Sequence, residues 1–245
     1  MMIERREFVG LSAAFAVAGC RTATRADHTL LTLTFDDAPK GHLSVAAPAL
    51  EKFGLTGCFN IVTDWIGRPH KLTWDDVREL KRRGHEIASH GKSHVDLVRL
   101  LNEKGAGAVC REVEASRDAI AEAIGEPPTL FCHPFISHNA AVDALIRECG
   151  MIPYFGPRRN IGSDMTPASF AALVDELVVS RKRNIDILFH GVSKDTGGWN
   201  PVATAEYFEA MMATVADRRA RGDVEVVPYA TYAKLAPFAG RHLSA

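Results

Sequence analysis

Short apolar runs alternate with amphipathic segments along most of the 245-residue chain, and this alternation restricts the possible folds more than any other feature. In the first run, Leu31, Leu33 and Phe35 alternate with Thr32 and Thr34, which is typical of a β-strand. Strands that alternate with helices pair in parallel through right-handed crossovers. Seven or eight such units predict a small or incomplete α/β barrel. A doubly wound open sheet is the alternative, but no glycine-rich phosphate-binding pattern follows the first strand.

The same patterns predict the individual elements. After the first strand we expect strands at 55–62, 86–89, 129–133, 151–155, 185–189 and 224–227. We expect helices at 43–53, 74–83, 102–124, 140–149, 166–178 and 203–219.

Composition excludes some classes of function. The net charge is -1 and the basic residues are spread among acidic ones, so no nucleic-acid partner is expected. No apolar stretch reaches the roughly 18 residues that a membrane-spanning helix requires.

The N-terminus has the pattern of an export signal. A charged start with Arg5 and Arg6 precedes a short apolar run and small residues, which predicts a signal peptide at 1–19 of the twin-arginine type. The ending Ala18-Gly19-Cys20 resembles a bacterial lipobox, and residues 20–28 then form a polar tether. The alternative is an amphipathic helix. We therefore expect an exported protein of the periplasm or cell envelope, bound to the membrane only through a lipid on Cys20.

Export bears on the remaining cysteines. An oxidising compartment permits disulfides. The four cysteines that remain are Cys58, Cys110, Cys132 and Cys149. They allow three sets of pairings, and the sequence selects none of them.

Polar residues that carry chemistry follow several predicted strands. They are Asp36-Asp37, His90 and His94, His133-Pro134-Phe135, and His190. Active sites of α/β barrels and sheets lie at this carboxyl edge. Two adjacent carboxylates repel each other, so a cation, a hydrogen-bond network or a catalytic task would explain them, whereas a solvated turn is the alternative.

The histidine pair predicts a metal site. His90 and His94 are four residues apart and can offer two nitrogens to one ion, although two surface histidines would look the same. One aspartate could be the third ligand and leave the other free as a base. Iron oxygenases also use two histidines and a carboxylate, so ligand type alone does not fix the metal.

Three segments together resemble the polysaccharide deacetylases, the NodB-homology group or carbohydrate esterase family four. They are Thr34-Phe35-Asp36-Asp37-Ala38-Pro39, Ser89-His90-Gly91-Lys92-Ser93-His94, and Ile187-Leu188-Phe189-His190-Gly191. The resemblance implies a distorted, incomplete (β/α) barrel of about seven parallel strands, with the catalytic domain at 29–245. It also implies a divalent metal, zinc before others, bound by Asp37, His90 and His94. Asp36 would be the general base and His190 the general acid.

A fourth segment, Phe131-Cys132-His133-Pro134-Phe135, corresponds to the family's third motif and departs from its usual pattern. Cys132 stands where family members commonly carry an arginine that holds the base, and Ile136 stands where glycine is frequent. Arg158 or Arg159 could supply the charge instead, and Cys132 as a metal ligand is a further alternative. By position in the motif, Pro134 and Phe135 would contact substrate, with the Phe135 N–H near the oxyanion.

Aromatic residues are candidates for a sugar-binding surface. Trp199, in a glycine-bearing loop after His190, is the first choice, unless it only packs that loop onto the barrel. Trp65 is a weaker candidate and Trp74 is expected to be structural. The remaining histidines are expected at the surface or in loops: His28, His42, His70, His85, His138 and His242.

Three functions remain open from the sequence. The preferred one is a metal-dependent hydrolase that cleaves the carbon–nitrogen bond of acetamido groups on a polysaccharide or oligosaccharide. The same machinery could act as an esterase on O-acetylated, xylan-like glycans. A non-catalytic, lipid-anchored glycan-binding protein is the third. The sequence specifies neither the glycan nor the oligomeric state.

Overall fold

The computed structural model describes residues 29–154, 156–180 and 184–231. The expected signal peptide (1–19), the lipobox ending at Cys20 and the tether (20–28) lie outside these residues, as do residues 232–245 of the expected catalytic domain. Those predictions therefore stay predictions.

The described residues form eight strands and seven α-helices. The strands are β1 (Thr29–Asp36), β2 (Cys58–Ile61), β3 (Glu86–Ser89), β4 (Leu130–Phe131), β5 (Ile152–Pro153), β6 (Arg158–Ile161), β7 (Asn184–Phe189) and β8 (Val224–Val226). The helices are α1 (Ala47–Lys52), α2 (Trp74–Arg82), α3 (Leu97–Lys104), α4 (Ala106–Ile124), α5 (Ala140–Glu148), α6 (Pro167–Val179) and α7 (Ala205–Ala220). A π-helical turn (His42–Ala46) and 3-10 turns at Thr63–Trp65, Pro134–Ile136 and Lys194–Thr196 lie in the connections.

All strand pairs in the sheet are parallel, in the order β5-β4-β3-β2-β1-β7-β6. The order follows the chain around a curled half-barrel, and the barrel is open between β5 and β6. Short β8 pairs with residues 29–31 of β1, while β2 pairs with residues 34–36. The predicted incomplete barrel of about seven parallel strands is confirmed.

Strand β1 is the centre of the molecule and is buried on both faces. Leu31, Leu33 and Phe35 pack in the main core, where the Phe35 ring stacks on Phe59 and Phe189 with centroids 4.8 and 5.5 Å apart. Its threonines are also buried. The strand therefore fixes the position of Asp36 at its end from both sides.

Two elements differ from the sequence prediction. The expected helix 102–124 is instead two helices, because Gly105 adopts a left-handed φ of 77° that ends α3, and α3 already begins after the N-cap Asp96. Strand β6 was missed, because Arg158-Arg159-Asn160 carries no apolar alternation and reads as a polar loop.

The prediction that His42 lies at the surface or in a loop is wrong, because it lies in a π-helical turn. His85 lies in the loop before β3, as predicted. Both are buried, His42 completely. The His85 ring packs edge-on against Phe59 at 5.3 Å, and its Nε2 lies 3.2 Å from Glu51 Oε1. The Nε2 atom of each ring has a partner, as buried polar atoms usually do, whereas His42 Nδ1 has none among the described residues.

The four cysteines of the described region are free thiols: Cys58, Cys110, Cys132 and Cys149. None of the three pairings forms in this structure. No helix of the described residues is long and apolar enough to cross a membrane.

Gly57 precedes β2 and is a sensitive point of the core. A Cβ there would lie 2.6 Å from Phe35 Cε2 and 3.1 Å from Leu50 Cδ1. We expect Gly57→Ala to lower the free energy of unfolding by about 1–3 kcal/mol through overpacking, measured by urea denaturation.

Gly107 in α4 provides the matched control. A Cβ there meets only Arg111 Nη1 at 3.5 Å. Gly107→Ala should leave stability unchanged or raise it by about 0.5 kcal/mol, since it restricts the unfolded chain. Equal effects of the two substitutions would show that Gly57 is not sterically constrained.

Candidate active site

A cavity of about 590 Å³ lies at the carboxyl ends of the strands. Its lining residues are Asp36, Asp37, Trp65, His90, His94, His133, Phe135, Ile136, Arg158, Asn160, Leu188, His190 and Trp199. The five residues for which the sequence predicts catalytic or metal-binding roles therefore meet in one place, as do Phe135 and Trp199.

Asp36 is buried at the end of β1 and held by a neighbouring strand. Asn60 pairs with it across β1 and β2, and the Asn60 Nδ2 donates a 2.5 Å hydrogen bond to Asp36 Oδ1. Burial would raise the pKa of Asp36, but nearby His90, Arg158 and His190, together with this hydrogen bond, hold the pKa below its ordinary value. The carboxylate therefore stays ionised and can accept a proton.

Asp37, His90 and His94 form a set of converging donors. Each offers one ligand atom, and these atoms lie within 4.8 Å of one another. Asp37 Oδ1 is buried and lies 3.8 Å from His90 Nε2 and 3.5 Å from His94 Nε2. Among the described residues, no hydrogen-bond donor satisfies this oxygen. A buried, unsatisfied carboxylate oxygen facing two imidazole nitrogens fits a divalent cation.

The tautomer of His90 suits this task. Its Nδ1 lies 2.8 Å from the Cys132 carbonyl oxygen, which can only accept, so Nδ1 carries the hydrogen and Nε2 faces the carboxylates. Burial would lower the pKa of His90, but Asp36 foremost raises it to about 10. Burial and the charge on His90 lower the pKa of His94 to about 4. A cation at this place would therefore displace a proton from His90.

A second group of donors, Asp36, His90 and Cys132, overlaps the first. Here a cation would face the guanidinium of Arg158, whose Nη2 lies 3.3 Å from Cys132 Sγ and whose Nη1 lies 4.0 Å from Asp36 Oδ2. Like charges at this range repel, so the set with Asp37 and His94 is the better metal site.

Arg158 approaches Asp36 from β6. Its Nε donates to Asp186 Oδ2 at 2.8 Å, and the other oxygen of Asp186 accepts from the Thr34 hydroxyl at 2.6 Å. Burial would lower the pKa of Arg158, but neighbouring groups that include Asp186 and Asp36 raise it well above its usual value. Of the two arginines proposed to replace the missing one, Arg158 approaches Asp36, while Arg159 extends to the Arg158 carbonyl oxygen at 3.5 Å.

His190 directly follows β7, which pairs with β1 on the side away from β2. Burial lowers its pKa, and Asp36 and Asp37 oppose this effect. Beneath it, His42 Nε2 donates to the His190 carbonyl oxygen at 2.7 Å. The pKa of His42 is lowered to about 3, chiefly by burial, so this ring is neutral. His42 thus fixes the main chain that carries His190.

The segment after β4 forms one wall. Phe135 and Ile136 have left-handed φ values of 60° and 59°, and both side chains are largely exposed. His133 Nε2 lies 3.0 Å from Asp143 Oδ1 on α5, which anchors the segment. Pro134 is buried and does not line the cavity, in contrast to its expected substrate contact.

Aromatic rings surround the histidines. Trp199 is 60% exposed and meets His190 edge-on at 4.7 Å. His94 lies between Trp65 and Phe135, with centroids at 4.8 and 4.7 Å. Trp74 packs partly buried against the core, as expected of a structural residue.

Sequence reasoning missed three residues that act on the site: Asn60, Asp186 and His42. Asn60 is a polar residue at the end of an apolar strand, the same signal that singled out Asp36, and could have been found. His42 lies in a helical segment without such a signal. Asp186 lies within β7, away from the strand ends that the sequence singles out, and its partner is Arg158.

A family model described as polysaccharide deacetylase matches residues 23–154, more than half of the chain. The chain belongs to the polysaccharide deacetylase family. This confirms the resemblance carried by the three sequence segments.

Curated relatives match over limited segments. A putative polysaccharide deacetylase, YxkH of Bacillus subtilis (strain 168), is 32% identical over 65 residues, or 26% of this chain and 23% of the relative. A chitin deacetylase of Pestalotiopsis sp is 30% identical over 108 residues, or 44% of this chain and 35% of the relative. The chain thus spans roughly a quarter to a third of these relatives' length.

A solved structure shares the fold over most of the chain. A family 4 acetyl xylan esterase from Clostridium thermocellum, in complex with a cobalt ion, superposes with a TM-score of 0.63 at 21% identity. The superposition covers 84% of this chain and 91% of the esterase.

Removing Arg158 should destabilise the protein, because Asp186 would be left buried without its countercharge. We expect Arg158→Met to lower the free energy of unfolding by about 3–5 kcal/mol, and Arg158→Met with Asp186→Asn to recover at least half of the loss. Arg159→Met is the control and should change stability by less than about 0.5 kcal/mol. Urea denaturation measures the stability of wild type and of the three variants. If Arg158→Met lost no more stability than Arg159→Met, the buried ion pair between Arg158 and Asp186 would be contradicted.

The depressed pKa of His42 predicts a pH-dependent contribution to stability. Between about pH 6.5 and pH 3 the unfolded chain binds a proton at this position and the folded chain does not, so stability falls as pH falls, by up to about 1.4 kcal/mol per pH unit. His42→Gln does not titrate. The stability difference between wild type and variant should therefore shrink from about pH 7 to pH 5; a constant difference would show that His42 titrates normally.

Proposed function

We propose that the protein is a metal-dependent hydrolase that removes acetyl groups from an N-acetylated polysaccharide or oligosaccharide. The observation that carries the proposal is the shared cavity, in which an ionised carboxylate, three converging metal donors and a histidine face one another. Membership in the polysaccharide deacetylase family supports the same chemistry.

The donor set suits zinc, with two imidazoles, one carboxylate and room for a further ligand. A divalent cation held by Asp37, His90 and His94 would lower the pKa of a coordinated water and polarise an acyl carbonyl.

Asp36 is the proposed general base. Its Oδ1 is committed to Asn60, which leaves Oδ2 as the oxygen that accepts the proton of the attacking water. Arg158 Nη1 lies 4.0 Å from this Oδ2, and its charge helps to keep the carboxylate ionised.

His190 is the proposed general acid. The burial that lowers its pKa also makes its protonated form a stronger donor, and the two aspartates favour protonation. As the bond from the acyl carbon to the water oxygen forms and the bond to nitrogen breaks, His190 gives a proton to the departing amine. The products are acetate and the free amino sugar.

The rim of the cavity suits a sugar chain. Trp199, Phe135 and Ile136 are each at least 60% exposed, and Trp65 lines the same cavity. Flat apolar surfaces beside polar groups bind the C–H faces of sugar rings. The chitin deacetylase relative favours an N-acetylated substrate, while O-acetyl xylan is the competing outcome of the assay.

Acetate release from chitooligosaccharides, peptidoglycan fragments and acetylated xylan tests the proposal. We expect the zinc-loaded protein to act on an N-acetylated member of the panel, Asp36→Asn to keep its metal and lose about 10²–10⁴-fold in kcat, and His94→Ala to lose both. Metal content is measured alongside by atomic emission.

Two results would count against it. Full acetate release by Asp36→Asn would remove Asp36 as the base. Silence of the metal-loaded wild type across the panel would favour a glycan-binding protein without catalytic activity.

A further inference from the structure

The turn that joins the two histidine ligands is strained. Gly91 has a φ of 82° and His94 a φ of 61°, so two of its residues lie in the left-handed region. For a side chain such as histidine this conformation costs on the order of 1–3 kcal/mol and persists only where the surroundings hold it. The position of His94 therefore depends on contacts from outside the turn.

One side of the turn is held by the connection after β2. Thr63 and Asp64 donate main-chain hydrogen bonds to the carbonyl oxygens of Gly91 and Lys92, at 3.2 and 2.9 Å. Lys92 Nζ also donates to Asp64 Oδ2 at 2.8 Å.

The other side is held by a carboxylate on α4. Glu112 Oε1 accepts the main-chain N–H of Ser93 at 2.6 Å, and the Ser93 hydroxyl donates to the same carboxylate at 3.0 Å. Ser93 directly precedes His94. Among the described residues of α4, only Glu112 places a carboxylate in hydrogen-bond contact with this turn.

Gly91 makes room for this carboxylate. A Cβ at Gly91 would lie 3.3 Å from Glu112 Oε1 and would crowd it. The glycine thus serves both the left-handed backbone and the approach of the helix.

Spacing on the helix matches spacing in the turn. Ser116, one helical turn after Glu112, shares a 2.6 Å hydrogen bond with the hydroxyl of Ser89, which directly precedes His90. Glu112 and Ser116 lie four residues apart on α4, and the two histidines are also four residues apart. Each of these α4 side chains holds the residue that directly precedes one histidine. Helix α4 acts as a rigid support for both histidines.

We propose that Glu112 is a positioning residue for the metal site: its carboxylate fixes the 91–94 turn so that His94 Nε2 meets His90 and Asp37 around one divalent cation. The inference rests on the proposed function, in that it takes these three residues as the ligands. Residues outside the ligand set that orient ligands typically change metal affinity 10–100-fold when removed.

Zinc affinity of the full-length protein, measured by competition with a chromogenic chelator, tests the role. We expect Glu112→Ala to bind Zn²⁺ about 10–100-fold more weakly, and Glu112→Gln, whose amide oxygen can still accept from Ser93, to recover most of the affinity. Exposed Glu114 on the same helix gives the matched control, and Glu114→Ala should bind within about twofold of wild type.

Two further readouts separate positioning from folding. Thermal unfolding of the metal-free proteins shows whether Glu112→Ala is folded under the assay conditions. At saturating Co²⁺, the visible absorption spectrum reports ligand geometry, and it should change in Glu112→Ala and not in Glu114→Ala.

The outcomes are distinguishable. A wild type that binds no zinc would overturn the proposed function itself. If wild type binds zinc and Glu112→Ala binds it equally tightly, the role of Glu112 is overturned and the proposed function is not. The same holds if Glu114→Ala loses as much zinc affinity as Glu112→Ala. Failure of glutamine to restore affinity would overturn the hydrogen bond as its cause.

Discussion

Two adjacent carboxylates, Asp36 and Asp37, are buried at the end of the central strand, and their charge must be balanced within the protein. A buried carboxylate without partners costs several kcal/mol. The balance comes from distant parts of the chain: Asn60 on β2, His90 after β3 and Arg158 on β6. The order of strands around the half-barrel brings these groups to one edge. The requirement to compensate the two charges thus connects the topology to the chemistry of the cavity.

The positive charge beside Asp36 comes from Arg158 on β6 and not from the motif after β4. Cys132 occupies the position at which family members commonly carry an arginine, and its small side chain leaves space for the guanidinium of Arg158, 3.3 Å from the sulfur. Arg158 is itself fixed by Asp186 and by the Tyr154 ring, 4.1 Å from its guanidinium carbon. A departure in one motif therefore does not remove the positive charge beside Asp36.

The elements outside the sheet have comparable roles. Helix α4 holds the turn between the two histidines, and the buried ring of His42 holds the main chain at His190. The left-handed residues Asp37, His94 and Phe135 all border the cavity. Backbone strain of this kind concentrates at functional sites because packing elsewhere in the fold compensates for it. The Lys71 side chain, which donates to the Asp37 carbonyl oxygen at 2.7 Å, is one such compensation.

The sequence by itself determined the alternation of parallel strands and helices and the edge where Asp36, Asp37, His90, His94 and His190 gather, because local periodicity marks the strands and parallel strands end together. It left an open sheet as the alternative to the barrel. It did not reveal β6, whose residues Arg158 and Asn160 line the cavity and carry no apolar pattern, nor the burial of His42 and His85. Choosing Arg158 over Arg159 needed the pairing register, which sets Arg158 opposite Asp186 and Arg159 opposite Ile187. Because side chains alternate between the faces of a strand, a shift of one residue would have reversed that choice. Tertiary structure decided which charges meet, since register and curl depend on contacts between residues far apart in the chain.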